Sequence, residues 1–191
     1  FHATTEDEKA DIIKAMGNKY VIKIAGNLPK KIALEAFKPR QKLPGHVRLI
    51  NIARIAPEKN LKLALEILME VKINVEFDFY GPIYDEAYYN ECKTVIEKLP
   101  NNIKVSYKGF IPNSEVNQTL KAYDAMLMPT LGENFGHIIL ESLIAARPVI
   151  ISDQTPWQNL EAEKSGWSIP LHQISKYVEV ITLLALSDTA Q

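Results

Sequence analysis

Apolar residues follow two alternating rhythms along this chain. Short runs at Tyr20–Ala25, Val47–Ile52, Val75–Tyr80, Ile103–Tyr107, Ala125–Met128 and Val149–Ser152 contain many β-branched or aromatic residues. Several are closed by glycine or proline, the pattern of buried strands. Segments with helical spacing lie between them. Leu61, Leu65, Leu68 and Met69 repeat after Asn60, a residue suited to an N-cap. Residues 86–99, 115–123, 136–146 and 175–186 are the further helix candidates. Thr5-x-x-Glu8 reads as a capping box that opens a first helix running to about Met16.

Strand–helix–strand alternation predicts an α/β fold, a Rossmann-like parallel sheet with helices on both faces. Ligands bind beyond the carboxyl ends of the strands in such sheets. The expected functional segments are therefore 53–59, 81–84, 108–112, 130–137 and 153–157. The stretch 26–46, with Pro29, Pro39, Pro44, Gly45 and several lysines, reads as a connection. The expected division is residues 1–25 as part of what precedes the main domain, 26–46 as the connection, and 47–191 as the main domain.

Composition narrows the function classes. Of 191 residues, 47% are apolar and 24% charged, the profile of an ordinary soluble globular protein. A net charge of −1 lacks the basic excess of a non-specific nucleic-acid binder. With Cys92 alone, neither a disulfide framework nor a cysteine-rich zinc site is expected. No apolar stretch has the length of a membrane-spanning helix. His2, His46 and His172 lack metal-ligand spacing, and no Ser-His-Asp or Cys-His set is visible. Asn117-Gln118-Thr119 matches a glycosylation sequon and is read as chance. The chain opens at Phe1, which suggests a fragment.

Two turns carry the candidate chemistry. The first lies in P-T-L-G-E-N-F-G-H-I-I-L-E-S, residues 129–142. The segment 136–146 is apolar almost all round, so a buried helix is expected. Glu141 inside it then needs a partner, a protein cation or the hydroxyls of a ligand, because an unpaired buried carboxylate is costly. The helix should begin near Asn134–Gly136, where free N–H groups carry the positive end of the dipole. Two glycines let a ligand approach that backbone, which makes a plausible phosphate site. The pattern is neither a Walker loop nor G-x-G-x-x-G.

The second turn is A-R-I-A-P-E-K-N, residues 53–60. Lys59 stands just before the N-cap, where a cation opposes the helix dipole and a bound anion would remove the conflict. Arg54 can fork onto the same phosphate. Both groups stay charged near neutrality and suit a diphosphate leaving group. Plainer readings stand beside these. Glu133 can serve as a dipole partner, Lys59 as solvated surface, and Arg54 as a structural partner of Glu141. His137 suits a helix start or packing better than a base. Trp157 and Trp167 suit packing, and Met126 and Met128 suit a strand core.

In four pieces the chain resembles the C-terminal half of retaining glycosyltransferases of the GT-B fold, glycosyltransferase family 4, the group 1 transferases. The pieces are R-I-A-P-E-K-N at 54–60, D-F-Y-G-P at 78–82, Y-K-G-F-I at 107–111 and G-E-N-F-G-H-I-I-L-E-S at 132–142. The last contains the family's Glu-x7-Glu pattern, Glu133 to Glu141, and A-A-R-P-V-I-I-S-D follows at 145–153. The resemblance implies that Arg54 and Lys59 hold the diphosphate of a nucleotide-sugar donor. Glu141 would accept bonds from the ribose, and Glu133 would lie at the donor sugar. The backbone of Asn134, Phe135, Gly136, His137 and Ile138 would meet sugar and phosphate. Gly81, Phe110 and Ile111 would line the nucleotide.

The same resemblance implies transfer of a hexosyl unit from the donor to a hydroxyl with retention, in polysaccharide or glycan assembly. No metal and no further cofactor would be needed. It assigns residues 1–25 to the end of a first domain and the crossover from it. A glycan or lipid-linked acceptor would bind that first domain, so the fragment alone should be inactive. The setting would be cytoplasmic, at the inner face of the membrane where the intact enzyme associates peripherally. Two departures stand out: Ala53 and Arg147, each where many relatives have glycine. A GT-B nucleotide-sugar epimerase and a non-catalytic nucleotide-binding module are the alternatives.

Overall fold

The structure, a computed structural model, describes residues 1–4, 6–26 and 43–187. The short parallel strands β1 (His2–Ala3) and β2 (Lys23–Ile24) pair with each other around helix α1 (Glu6–Met16). The strand expected over Tyr20–Ala25 shortens to β2 because its partner is only two residues long and both lie outside the main sheet. Thr5, from the proposed capping box, lies outside the described residues. The neighbouring Thr4 donates its backbone N–H to Glu8 Oε2 at 2.7 Å. Most of the 26–46 connection also lies outside the described residues.

The larger sheet and its helices run β3 (His46–Ile52), α2 (Leu61–Glu70), β4 (Asn74–Tyr80), α3 (Glu86–Ile96), β5 (Ile103–Tyr107), α4 (Asn113–Leu120), β6 (Ala125–Met128), α5 (His137–Ile144), β7 (Val149–Ser152), β8 (Gly166–Ile169) and α6 (Ile174–Leu186). Its six strands are all parallel, in the order β5-β4-β3-β6-β7-β8. Sequence patterning missed β8. Gly-Trp-Ser-Ile offers only two large apolar residues, and as an edge strand β8 needs burial on one side alone.

Alternating residues of the strands feed two cores. Val47, Leu49, Phe77 and Phe79 pack against α2, α3 and α6 on one face. Ile50, Met126, Met128 and Ile151 pack against α4 and α5 on the other. The period of two along each strand thus produces the layered fold directly. Met126 and Met128 are fully buried, as their spacing suggested.

Candidate functional site

The strand order reverses between β3 and β6, and the helices after these two strands leave to opposite faces. A crevice at such a switch point is where open α/β sheets bind ligands. The parting of the strands is visible in the register. β3 and β6 pair only at Leu49–Ala125 and Ile50–Met126, whereas β3 and β4 stay paired from His46 to Ile52. Past the last pair, buried Asn51 donates from Nδ2 to the Leu127 carbonyl at 2.8 Å and supplies a bond that the ladder no longer makes.

The loops on either side, 53–60 and 129–136, are laced together. Asn60 Nδ2 donates to the Pro129 carbonyl at 2.9 Å. The Glu58 carbonyl accepts from Leu131 N–H at 2.9 Å and from Thr130 Oγ1 at 3.0 Å. Ser152 Oγ donates to the Thr130 carbonyl. Glu133 N–H donates to the Gln154 carbonyl at 3.2 Å. This corrects the reading of Asn60. It stands at the N-cap of α2, but its φ of 54° is left-handed and its side chain makes no capping bond. Asparagine tolerates that conformation, and its amide is spent on the opposite loop. A short 3₁₀ turn, Pro57–Lys59, delivers it there.

The lacing brings Lys59 and Glu133 to 2.7 Å, Nζ to Oε1, with side chains only 17% and 14% exposed. Lys59 is therefore not solvated surface. The anion opposite it here is Glu133, whose partner is this lysine. Arg54 is handled differently. Its Nε donates to Glu58 Oε1 at 2.7 Å, with both side chains nearly half exposed. Its guanidinium also lies 5.6 Å from the Tyr84 ring centroid. Glu58, not Glu141, is thus its carboxylate. The Glu58 carboxyl is held below its ordinary range, first by its own backbone N–H and further by Arg54.

The start of α5 is fixed by packing. Gly136 is its N-cap with φ 74°, and a Cβ there would sit 2.7 Å from Ile139 Cδ1. Trp157 Nε1 donates to the Phe135 carbonyl, and the Phe135 ring stands edge-on to Trp157 and 4.7 Å from the His137 ring. Trp157 thereby pins the turn that contains Glu133, Asn134 and Phe135. His137 is the first, exposed residue of α5. The expectation of a helix buried all round is corrected. Ile139 and Ser142 are buried, while Ile138, Leu140, Glu141, Leu143 and Ile144 are half-buried. The helix rests on β6 and β7 with α4 alongside, and one flank stays open. The unusual backbone near its end falls at Ala146, φ 55°, rather than at Arg147. Ala146 N–H bonds to the Leu143 carbonyl and Arg147 N–H to that of Ser142, a Schellman ending with alanine in the usual glycine place.

The loops after β4 and β5 complete the rim. Gly81 has φ 134°, and a Cβ there would come within 2.0 Å of the Ala53 carbonyl oxygen. Its glycine is needed for the close approach of two loops. Gly81 N–H bonds to the Gly109 carbonyl at 2.9 Å, and Tyr107 Oη donates to the Gly81 carbonyl at 2.8 Å. Ile55 N–H bonds to the Pro82 carbonyl at 2.8 Å. Phe110 projects, 74% exposed, whereas Ile111 belongs to the second core. Beneath this rim lies a cluster that patterning missed. Asp78 Oδ2 accepts from Tyr123 Oη at 2.7 Å, with Lys108 Nζ at 3.5 Å. Burial drives the Tyr123 hydroxyl well above its ordinary pKa. Its only sequence signal is an aspartate between two phenylalanines in a strand, which must face away from them.

Lys59 and Glu133 thus meet at the switch point beside the start of α5, and Arg54 stands on the same 53–60 loop as Lys59, paired with Glu58. The rim is built of two ion pairs, Arg54–Glu58 and Lys59–Glu133, beside the start of α5, whose first N–H groups can meet an anion. A family model for glycosyl transferases group 1 matches residues 34–190, well over half the chain. The chain belongs to that family. It is 27% identical to the 2-deoxystreptamine glucosyltransferase of Streptomyces kanamyceticus, over 61% of this chain and 30% of the relative. It is also 27% identical to the GDP-Man:Man(3)GlcNAc(2)-PP-Dol alpha-1,2-mannosyltransferase of Caenorhabditis elegans, over 71% of this chain and 32% of the relative. This group 1 chain thus spans about a third of the length of these two relatives. Among solved structures, HepE of Anabaena in complex with UDP and glucose superposes with a TM-score of 0.71 at 15% identity, over 95% of this chain and 52% of that one. The likeness bears out the α/β fold with a parallel sheet and the GT-B architecture.

Proposed function

We propose that this chain is the donor-binding, C-terminal part of a retaining glycosyltransferase that moves a hexosyl unit from a nucleoside diphosphate to a hydroxyl. The Lys59–Glu133 contact carries the reading. It joins, across the switch point, the two loops that hold the basic R-I-A-P-E-K-N segment and the Glu-x7-Glu pattern. The bound UDP in the neighbour's crystal adds support for a nucleoside diphosphate ligand.

In this reading Arg54, Lys59 and the free N–H groups at the α5 start stabilise charge that grows on the departing diphosphate. Preorganised donors in a partly dry crevice do this at little reorganisation cost. Lys59 exchanges Glu133 for phosphate when the donor arrives. Glu133, released within the same contact distance, turns to the hydroxyls of the transferred sugar. Glu141, one face of α5 further on, accepts from the ribose. Acceptor binding falls to the part of the enzyme that this chain does not span, in glycan or polysaccharide assembly at the cytoplasmic membrane face.

Titration calorimetry with UDP, GDP and ADP tests the site. One of them should bind, and Arg54→Ala and Lys59→Ala should each weaken it by about ten- to a hundredfold, as expected for lost charge-assisted contacts. Variants that fold and bind as well as the unaltered chain would sink the phosphate assignment. Transfer assays on a chain completed with its acceptor part then separate a transferase from an epimerase or a simple binding module.

A further inference from the structure

The diphosphate reading above leaves open how an arginine on the exposed rim is kept ready. A free arginine side chain has several rotatable bonds and loses that freedom on binding. Arg54 is already restrained from two sides. Its Nε–H is taken by Glu58 Oε1 at 2.7 Å, and the Tyr84 ring lies 5.6 Å from its guanidinium carbon. Among the described residues its guanidinium makes no other hydrogen bond or ion pair. The terminal nitrogens, which form the fork that fits phosphate, are the ones left over.

Both restraints stand on fixed backbone. Glu58 is held through its carbonyl, which accepts from Leu131 and Thr130 of the opposite loop, so its side chain is not needed for the lacing. Tyr84 N–H and Asp85 N–H both bond to the Ile55 carbonyl, next to Arg54. We infer that Glu58 and Tyr84 are positioning residues for Arg54, holding its guanidinium by the Nε edge and one face so that its terminal nitrogens are presented to the diphosphate. The inference rests on the proposed function, because it needs a diphosphate at this rim.

The decisive comparison is between Glu58→Gln and Glu58→Ala. Both remove one negative charge, but only glutamine keeps an oxygen for Nε–H. Binding of UDP, GDP and ADP, and of UMP, GMP and AMP, would be measured by calorimetry on the 191-residue chain, with thermal unfolding as a fold control. For the nucleoside diphosphate that binds, Glu58→Ala should be about three- to tenfold weaker than Glu58→Gln, the cost of ordering one long side chain at binding. Tyr84→Leu should weaken it by about two- to fivefold, while Tyr84→Phe, which keeps the ring, should match tyrosine. The monophosphates should show smaller gaps if Arg54 reads the second phosphate.

Repeating the series on Arg54→Lys isolates the mechanism. Lysine has neither an Nε–H beside a fork nor a flat face, so both gaps should close there. Equal binding by Glu58→Gln and Glu58→Ala would overturn the positioning role of Glu58. Gaps that persist on Arg54→Lys would show that these residues act some other way. If Arg54→Ala itself binds every nucleotide normally, it is the proposed function that falls, and the two failures are told apart by that one variant.

Discussion

Two lysine- or arginine-to-glutamate contacts stand within one crevice and are built in opposite ways. Lys59–Glu133 joins two loops far apart in sequence and is largely shielded from water. Arg54–Glu58 is a local pair, four residues apart, and nearly half exposed. Both measure 2.7 Å, so distance alone does not distinguish them. Solvation does. Shielded charges interact strongly but have been taken out of water, and removing one strands the other. Exposed charges already have water as an alternative partner. The shielded pair therefore belongs to folding as well as binding, and the exposed pair belongs mainly to binding.

The largest effect that tests this contrast is on stability without nucleotide. Lys59→Met should cost about 2 kcal/mol, because Glu133 remains in the crevice without its cation. Arg54→Met should stay within about 0.5 kcal/mol, as for other exposed ion pairs. Urea unfolding at unchanged m-value reads both. Equal costs for the two would erase the distinction.

Glu133→Gln provides an effect of intermediate size and of opposite sign in binding. It should cost about 1 kcal/mol of stability, since one charge-assisted bond becomes an ordinary one. It also releases Lys59 from its carboxylate, so the nucleoside diphosphate should bind about threefold more tightly while Lys59→Ala binds it less well. In a complete enzyme the same Glu133→Gln change should lower turnover if the carboxylate serves the sugar. Weaker nucleotide binding by Glu133→Gln would mean that Lys59 and Glu133 do not exchange partners.

Much of this site was readable in advance because it lies in segments with strong local signals. Five of the six expected strands became strands of the main sheet, and the turns that follow β3 and β6 flank the switch point. Lys59 and Glu133 do meet across the switch point, with Arg54 on the same loop as Lys59. Who pairs with whom was not readable. Asn60 looked like a cap because residue type was all the sequence offered, yet the opposite loop takes its amide. Glu141 looked buried because periodicity measures apolar content, whereas burial depends on what covers each flank. Asn51, Thr130 and Ser152 lie in the functional turns or beside them and leave no periodic trace. Asn51 and Thr130 bond carbonyls across the switch point, Ser152 bonds the Thr130 carbonyl from β7, and only the fold supplies those carbonyls.

The smallest expected effect concerns how the two contacts respond to the medium. A double-mutant cycle isolates each pair from its surroundings. For Arg54 with Glu58, the coupling should be about 0.3–0.5 kcal/mol at low salt and should shrink in 1 M salt, where the screening length falls to about 3 Å. For Lys59 with Glu133, the coupling should be larger and should keep most of its value, because salt reaches a shielded pair poorly. Acidity separates them further. The Glu58 carboxyl is depressed in the folded chain, so its contribution is present above the ordinary carboxylate pKa of about 4.3. That contribution should fade as the pH falls through the lower folded value. Unfolding cycles at descending pH should thus show Arg54–Glu58 coupling that is full at pH 7 and shrinks as the pH falls below the ordinary carboxylate range. Coupling that survives both acid and salt would mean that Arg54–Glu58 is shielded in the way Lys59–Glu133 is, which would undo the division of labour between the two cations.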